Sequence, residues 1–348
     1  MDIVDLRSDI LARPTEAMIS AMAEAARLPR QLGHREGRQI VAFEKLAAEV
    51  LGKEDALFFP TCTMANQVAL MINCRAGSTV VADANAHLRI QESTSTIGVA
   101  GVIMHHPPTY LGHWVPEDLD AALASCQADL VWFENTHNRA GGTVMPPDVL
   151  RATVDVCRRH GVATHLDGAR LWNAVVASKC RVTDLTDAVD SVAVSMNKCL
   201  GTPVGAVLAG TRDFIKAAEH FRIMLGGGWR PLGMLAAAGQ VALENLPFDD
   251  IQADHDAATA LASALASFPN IDINLRNVHT NIVMARIGDS PALARAMVNA
   301  MAEQGVRAMT AAPDTIRFVT YGGIRSDAIA RTVDAFERAY DKVMPPTL

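Results

Sequence analysis

The stretch SVAVSMNKCLGTPVG, Ser191–Gly205, decides how the chain is read. Its first half alternates like a strand, and then Lys198 is followed at once by Gly201, Pro203 and Gly205. A lysine at the end of a buried strand loses its solvation, and its pKa falls. The neutral amine is a nucleophile that forms a Schiff base with an aldehyde. Glycine on the far side admits a flat ligand close to the backbone. The same lysine reads equally well as one that snorkels to the surface on its long stem.

Outward from this stretch, strand-like and helix-like segments alternate. Apolar strand candidates are Ala56–Phe59, Thr79–Ala82, Gly101–Met104, Asp129–Phe133, Val162–Leu166, Ser191–Ser195 and Gly205–Ala209, with helical patterns such as Pro116–Ser125 and Pro147–His160 between them. Near-continuously apolar strands between helices predict an α/β fold with a mainly parallel seven-stranded sheet covered on both faces. Ligands bind such sheets beyond the carboxyl ends of the strands. From about Leu232 the pattern changes to Ala-rich helical stretches (232–246 and 249–267). Short strands near 282–286, 306–309 and 316–320 follow, with helices over 290–304 and 326–343, the mark of a smaller α+β domain.

Three other strand ends carry polar residues. In FFPTCTMANQ, Phe58–Gln67, small hydroxyl residues precede a helix starting near Met64. Free N–H groups at a helix start bind anions, although the same residues serve as an ordinary cap. In VWFENTHNRAGG, Val131–Gly142, a strand runs straight into Glu134, Asn135, Thr136, His137 and Asn138, which suits a ligand site or a hydrogen-bonded loop. In ATHLDGARLWNA, Ala163–Ala174, Asp167 closes an apolar strand and Arg170 follows. A buried carboxylate needs a charged or donor partner to stay ionised, and a structural Asp–Arg pair would also satisfy it. Taken together, an anion-binding helix start, a buried carboxylate and a reactive lysine are what pyridoxal 5'-phosphate requires. The phosphate needs N–H donors, the pyridine nitrogen needs an acid partner, and the aldehyde needs an amine.

The totals agree with this and exclude other classes. The 348 residues are 50% hydrophobic with a net charge of −7 and only 5% aromatic, which argues against a nucleic-acid or membrane-surface partner. No run approaches the ~20 apolar residues that span a bilayer. The charged opening MDIVDLRSDI has no apolar signal core, so a cytoplasmic enzyme is expected. The six scattered cysteines contain no CxxC pair and read as reduced thiols. His105, His106 and His113 match no common metal spacing, so no metal is expected.

The phrases DLRSD (Asp5–Asp9), TMANQ (Thr63–Gln67), ENTHNRAGGTV (Glu134–Val144), HLDGARLWNA (His165–Ala174), SMNKCLGTPVGAVLAG (Ser195–Gly210), GGGWR (Gly226–Arg230) and IRFVT (Ile316–Thr320) are similar to those of the low-specificity L-threonine aldolases. These belong to the β-eliminating lyase group of pyridoxal-phosphate fold type I, and the similarity runs nearly end to end. The resemblance implies a large cofactor-binding domain over 13–245 and a small domain from 1–12 with 246–348. It implies that Lys198 holds the cofactor as a Schiff base, that Asp167 pairs with the pyridine nitrogen, and that Arg170 reaches the phenolic oxygen. His87 would stack on the ring. Cys62 and Thr63 would donate to the phosphate, and Arg230 would reach it, from a neighbouring subunit of a homotetramer or homodimer. Ser8 and Arg317 would grip the substrate carboxylate, a task suited to a bidentate guanidinium. His137 would lie near the β-hydroxyl, and with His87 it is a candidate general base alongside a bound water. The implied reaction is retro-aldol cleavage of a β-hydroxy-α-amino acid to glycine and an aldehyde.

The departures fall in the substrate loop. Where the group carries GDDVYGEDP, this chain reads PRQLGHREGRQ, Pro29–Gln39, with His34, Arg35 and Glu36 near the place of the tyrosine and acids. A glycine of the phosphate turn has become Cys62, and Tyr321 stands for a histidine after the carboxylate arginine. Cofactor residues are kept while substrate-loop residues are altered. That leaves open another reaction on the same cofactor, such as β-elimination, racemisation or transamination of a larger or acidic amino acid, with Arg35 the residue to meet a distal carboxylate. It also leaves open an oxidation-sensitive Cys62.

Overall fold

The computed structural model describes residues 3–29, 33, 35–288 and 291–344. His34 lies outside the described residues. In chain order the strands are β1 (Val4–Asp5), β2 (Asp55–Phe59), β3 (Thr79–Ala82), β4 (Ile103–His105), β5 (Leu130–Glu134), β6 (Ala163–Gly168), β7 (Ser191–Ser195), β8 (Ala206–Gly210), β9 (Ile271–Asp272), β10 (Ile282–Ile287), β11 (Val306–Arg307), β12 (Met309–Ala312) and β13 (Thr315–Val319). The chain divides into two compact units. The larger is Ala12–Ala140 with Met145–Pro247, and the smaller is Met1–Leu11, Gly141–Val144 and Phe248–Leu348.

The larger unit is built on a seven-stranded sheet in the order β2-β8-β7-β6-β5-β3-β4. Every residue of β5, β7 and β8 is buried, which only near-continuous runs such as LVWF and SVAVS can supply. The pairs β7–β6, β6–β5, β5–β3 and β3–β4 are parallel. β8 departs from the expected pattern by running antiparallel to both β7 and β2. The reason is the connection. The 196–205 loop returns directly, without the dozen or more residues of crossover that a parallel partner needs. The carboxyl ends of β2, β3, β5, β6 and β7 therefore share one edge of the sheet, the edge at which chemistry was expected. Helices Pro116–Ser125 and Pro147–His160 both open with proline in their first turn, where a missing N–H costs nothing. Leu57, Phe59, Val68, Leu70, Val80, Trp132 and Leu208 form part of the buried core beneath the sheet.

The smaller unit pairs β1 parallel with β11 and carries a four-stranded antiparallel sheet, β12-β13-β10-β9. Helices Phe248–Leu265, Pro291–Glu303 and Ser326–Val343 belong to it. The strand expected over 306–309 is two, since Val306–Arg307 pairs with β1 while Met309–Ala312 pairs with β13. Among the described residues no helix is long and apolar enough to cross a membrane.

Candidate active site

The helix Cys62–Asn73 begins directly beyond β2. Thr61 caps it, its side chain accepting from the Met64 N–H at 3.1 Å and its carbonyl from the Ala65 N–H at 3.2 Å. The N–H groups of Cys62 and Thr63 meet no acceptor among the described residues. Two donors at the positive end of a helix are thus left for an anion.

Asp167 is the next-to-last residue of β6 and is 2% exposed. Its Oδ1 accepts the Ala169 N–H at 3.0 Å, and its Oδ2 accepts from Asn66 Nδ2 at 3.0 Å. Cys62 Sγ lies 4.0 Å from Oδ1. Burial raises the Asp167 carboxyl to about 6, the Glu134 charge adds to the rise, and His87 and Lys198 counter it. The same burial, with the charge of Asp167 beside it, pushes the Cys62 thiol well above its ordinary range. Lys198 follows β7 and its carbonyl accepts the Gly201 N–H at 2.9 Å.

The two glycines after the lysine serve the chain itself. Gly201 adopts φ 68° and a Cβ there would lie 2.9 Å from the Arg13 carbonyl; Gly205 adopts φ 115° and a Cβ would lie 2.3 Å from the Phe58 ring. Room for a flat ligand is therefore not what these two positions provide.

His87 begins a short helix after β3. Its backbone N–H donates to Glu134 Oε2 at 2.7 Å, and its Nδ1 lies 3.2 Å from Glu92 Oε1. Burial opposes a charge on this ring, but the Glu92 bond and the carboxylates of Asp167 and Glu134 outweigh it and raise its pKa. The other oxygen of Glu134 accepts the Asn138 N–H at 2.8 Å. Glu134 thus ties the start of the His87 helix to the loop after β5. Asn138 in turn accepts from Arg170 Nη1 at 3.1 Å, and Arg170 is 4% exposed. Asp167, His87 and Lys198 are brought together, while Asn66, Glu92 and Glu134 are the neighbours that sequence reasoning did not assign. Asn66 and Glu134 sat inside quoted stretches (TMANQ and VWFENTHNRAGG) and Glu92 in none, and only their contacts reveal them.

His137 lies within electrostatic reach of Glu134 and Asp167, and its ring is held at both nitrogens. Its Nε2 lies 3.0 Å from Asp83 Oδ1, and its Nδ1 accepts the Ala140 N–H at 3.1 Å. Gly112 crowds the ring so closely that a Cβ there would come within 2.2 Å of it. Both ring nitrogens are engaged and the side chain is 1% exposed, so in this conformation His137 offers no free nitrogen to act as a base. Burial would raise the Asp83 carboxyl, yet the bonds from His137 and Thr109 lower it to about 2.

Arg35 departs from expectation. Its Nε donates to Glu44 at 2.8 Å, its Nη2 to Asp55 at 2.8 Å, and its Nη1 to Glu219 at 3.2 Å. A guanidinium committed to three of the protein's own carboxylates is not offered to a substrate. Arg230 lines a cavity of about 90 Å³ with Trp229, Gly33 and Gly37, at the loop before the helix Gly233–Glu244. In the smaller unit, Arg317 Nη2 donates to the Arg7 carbonyl at 3.0 Å, which sets it beside the segment that carries Ser8. The Ser8 hydroxyl accepts the Ile10 N–H at 3.3 Å.

Residues 5–290 match the family described as beta-eliminating lyase. Low-specificity L-threonine aldolase 1 of Arabidopsis thaliana is 35% identical over 361 aligned positions, covering 100% of this chain and 99% of that protein. The low specificity L-threonine aldolase of Escherichia coli K12 is 36% identical over 310 positions, covering 84% and 87%. Among solved structures, a threonine aldolase of Leishmania major superposes with a TM-score of 0.82 at 20% identity, covering 96% of this chain and 99% of that one. A serine palmitoyltransferase of Sphingomonas wittichii superposes at 0.76 with 20% identity, covering 98% and 88%. These structural likenesses carry the fold.

Proposed function

The chain belongs to the beta-eliminating lyase family, and from that premise we propose how its site works. It is a pyridoxal-phosphate-dependent lyase that cleaves a threonine-type β-hydroxy-α-amino acid to glycine and an aldehyde by a retro-aldol reaction. One observation carries the reading. A carboxylate buried at the end of β6 lies close enough to Lys198 to feel its charge, beneath a helix start with two N–H groups unspent. Those residues fit the cofactor's three handles. When bound, the group supplies an acceptor for the electrons of the breaking Cα–Cβ bond.

Lys198 supplies the amine that holds the aldehyde. Asp167 holds a proton on the pyridine nitrogen, and that cationic partner offsets the charge which burial makes costly. The Cys62 and Thr63 amides meet the phosphate, joined by Arg230 from a neighbouring copy in a homotetramer or homodimer. Arg170, held by Asn138, would take the phenolic oxygen. Ser8 and Arg317 take the substrate carboxylate. With His137 engaged at both nitrogens, removal of the β-hydroxyl proton falls to His87, which keeps one ring nitrogen beyond its Glu92 bond. The carboxylates around Arg35 leave the acidic-substrate alternative without support. The reading includes a cytoplasmic location.

Aldehyde release from L-threonine, L-allo-threonine and L-phenylserine, with Lys198→Ala as control, tests the reaction. Release that vanishes in the control is expected. A yellow protein whose absorbance shifts on adding these amino acids, but which releases no aldehyde, would refute it.

A further inference from the structure

Glu92 is 3% exposed, and a carboxylate is costly to bury unless its partners need it. Its Oε1 faces two groups, His87 Nδ1 at 3.2 Å and Asn66 Nδ2 at 3.3 Å. The Asn66 amide is shared, since the same nitrogen donates to Asp167 Oδ2 at 3.0 Å. Both acceptors are carboxylate oxygens, so the NH₂ end of Asn66 must face them, and its orientation is fixed. The buried Oε2 of Glu92 and Oδ1 of Asn66 have no partner among the described residues, which leaves the chain of contacts with a single polarity.

We propose that Glu92 is a positioning residue that fixes His87 as the Nδ1–H tautomer and, through Asn66, links that histidine to Asp167. The inference rests on the reading of the site given above. A carboxylate at Nδ1 keeps the proton there, so Nε2 becomes the nitrogen that gains and loses a proton. The other ionisable groups acting on His87 and Asp167 include Glu134 at the end of β5, Lys198 after β7, the Cys62 thiol at the helix start and the His137 ring in the loop after β5. Of these acids, Glu92 alone contacts the imidazole ring directly; Glu134 meets only the His87 backbone.

The test is made on the holoenzyme. Imidazole NMR of ¹⁵N-histidine protein, assigned with His87→Phe, reads the tautomer and pKa of His87 directly. The Nδ1–H form is expected above that pKa; the Nε2–H form would overturn the proposal without any variant at position 92. Glu92→Gln keeps the shape and removes the charge. It should lower the His87 pKa by about one unit, the size of effect an adjacent opposite charge has. The acid limb of the kcat profile should move with it while KM stays within about threefold, and the shift should be absent when His87→Phe is already present. An unmoved His87 pKa, or an equal profile shift in the His87→Phe background, would refute the link. Because tautomer and pKa are read whether or not aldehyde is released, failure here is distinct from failure of the aldolase reading.

Discussion

Two groups of three carboxylates lie in the larger unit, and they differ in what stands among them. Glu44, Asp55 and Glu219 surround Arg35, which donates to all three. Glu92, Glu134 and Asp167 are met instead by a shared asparagine amide, a histidine and backbone N–H groups. In the first group the cation is part of the chain, so the group is complete on folding and its effect is on stability. In the second, burial and mutual repulsion hold Asp167 up at about 6, so the site gains from a further positive charge. A pyridinium nitrogen is such a charge. The comparison separates charge arranged for folding from charge arranged for chemistry.

The sharpest way to break it is at Lys198. Lys198→Ala should reduce aldehyde release to background and abolish the visible band of the Schiff base, while the melting temperature of the cofactor-free protein stays close to wild type. Aldehyde release surviving in this variant would mean that the strand-end cluster is not the reacting centre.

Asp167→Asn should cost roughly 10²–10⁴ in kcat/KM, the range for removing a preorganised charge or proton-holding group. Its effect on stability should have the opposite sign. The folded carboxyl titrates at about 6, above the ordinary ~3.9 of an unfolded aspartate. The folded state therefore binds the proton more tightly, and stability falls as pH rises from near 4 to near 6, then levels. The full penalty is present at neutral pH. The cofactor-free variant should thus be more stable than cofactor-free wild type above pH 6, and the gain should shrink below pH 4. Urea midpoints at pH 4 and pH 7 check the sign.

Arg35→Ala should do the reverse, leaving chemistry and removing stability. It strands Glu44, which is 1% exposed and whose pKa burial already raises against the pull of Arg35. Breaking a buried pair costs 3–5 kcal/mol; with Arg35 about a third exposed, roughly 2–3 kcal/mol is expected. Kinetics on acidic β-hydroxy amino acids should be unchanged relative to threonine. A selective loss on the acidic substrates would restore the substrate role that the three carboxylates argue against.

These contrasts show what could be read from residues alone. The strands Thr79–Ala82 and Ser191–Ser195 have the bounds that apolar runs indicated, because burial on both faces writes itself into composition. The antiparallel course of β8 was not visible in composition, since an apolar strand reads the same in either direction and only the short 196–205 connection betrays it. Strand-end residues such as Asp167 and Lys198 stood out because a charge after an apolar run is conspicuous. Glu92, Asn66 and the double engagement of His137 did not, because they depend on which side chains meet: Asn66 reaches Glu92 and Asp167, 26 and 101 positions on, and His137 reaches Asp83, 54 positions back. Arg35 illustrates the same limit, with its acid partners nine, twenty and 184 positions away.

The smallest effect is expected at Cys62, the residue that replaces the glycine of the phosphate turn. Both residues present the same backbone N–H to an anion, and that donor is what the helix start contributes. The thiol is neutral at working pH because burial and the neighbouring Asp167 push its pKa well above the ordinary value. A thiol that stays protonated is a poor nucleophile, so oxidation and alkylation should be slow there. Cys62→Gly should leave the affinity for pyridoxal phosphate within about threefold, with a stability loss of no more than roughly 0.5–1 kcal/mol from the added backbone freedom. Iodoacetamide at pH 7.5, followed by peptide mass spectrometry, should label Cys62 no faster than the buried Cys157, whose thiol is raised to about 12. Rapid labelling of Cys62, or a tenfold loss of cofactor affinity in the glycine variant, would show that the thiol takes part in holding the phosphate end and is more than a filler beside Asp167.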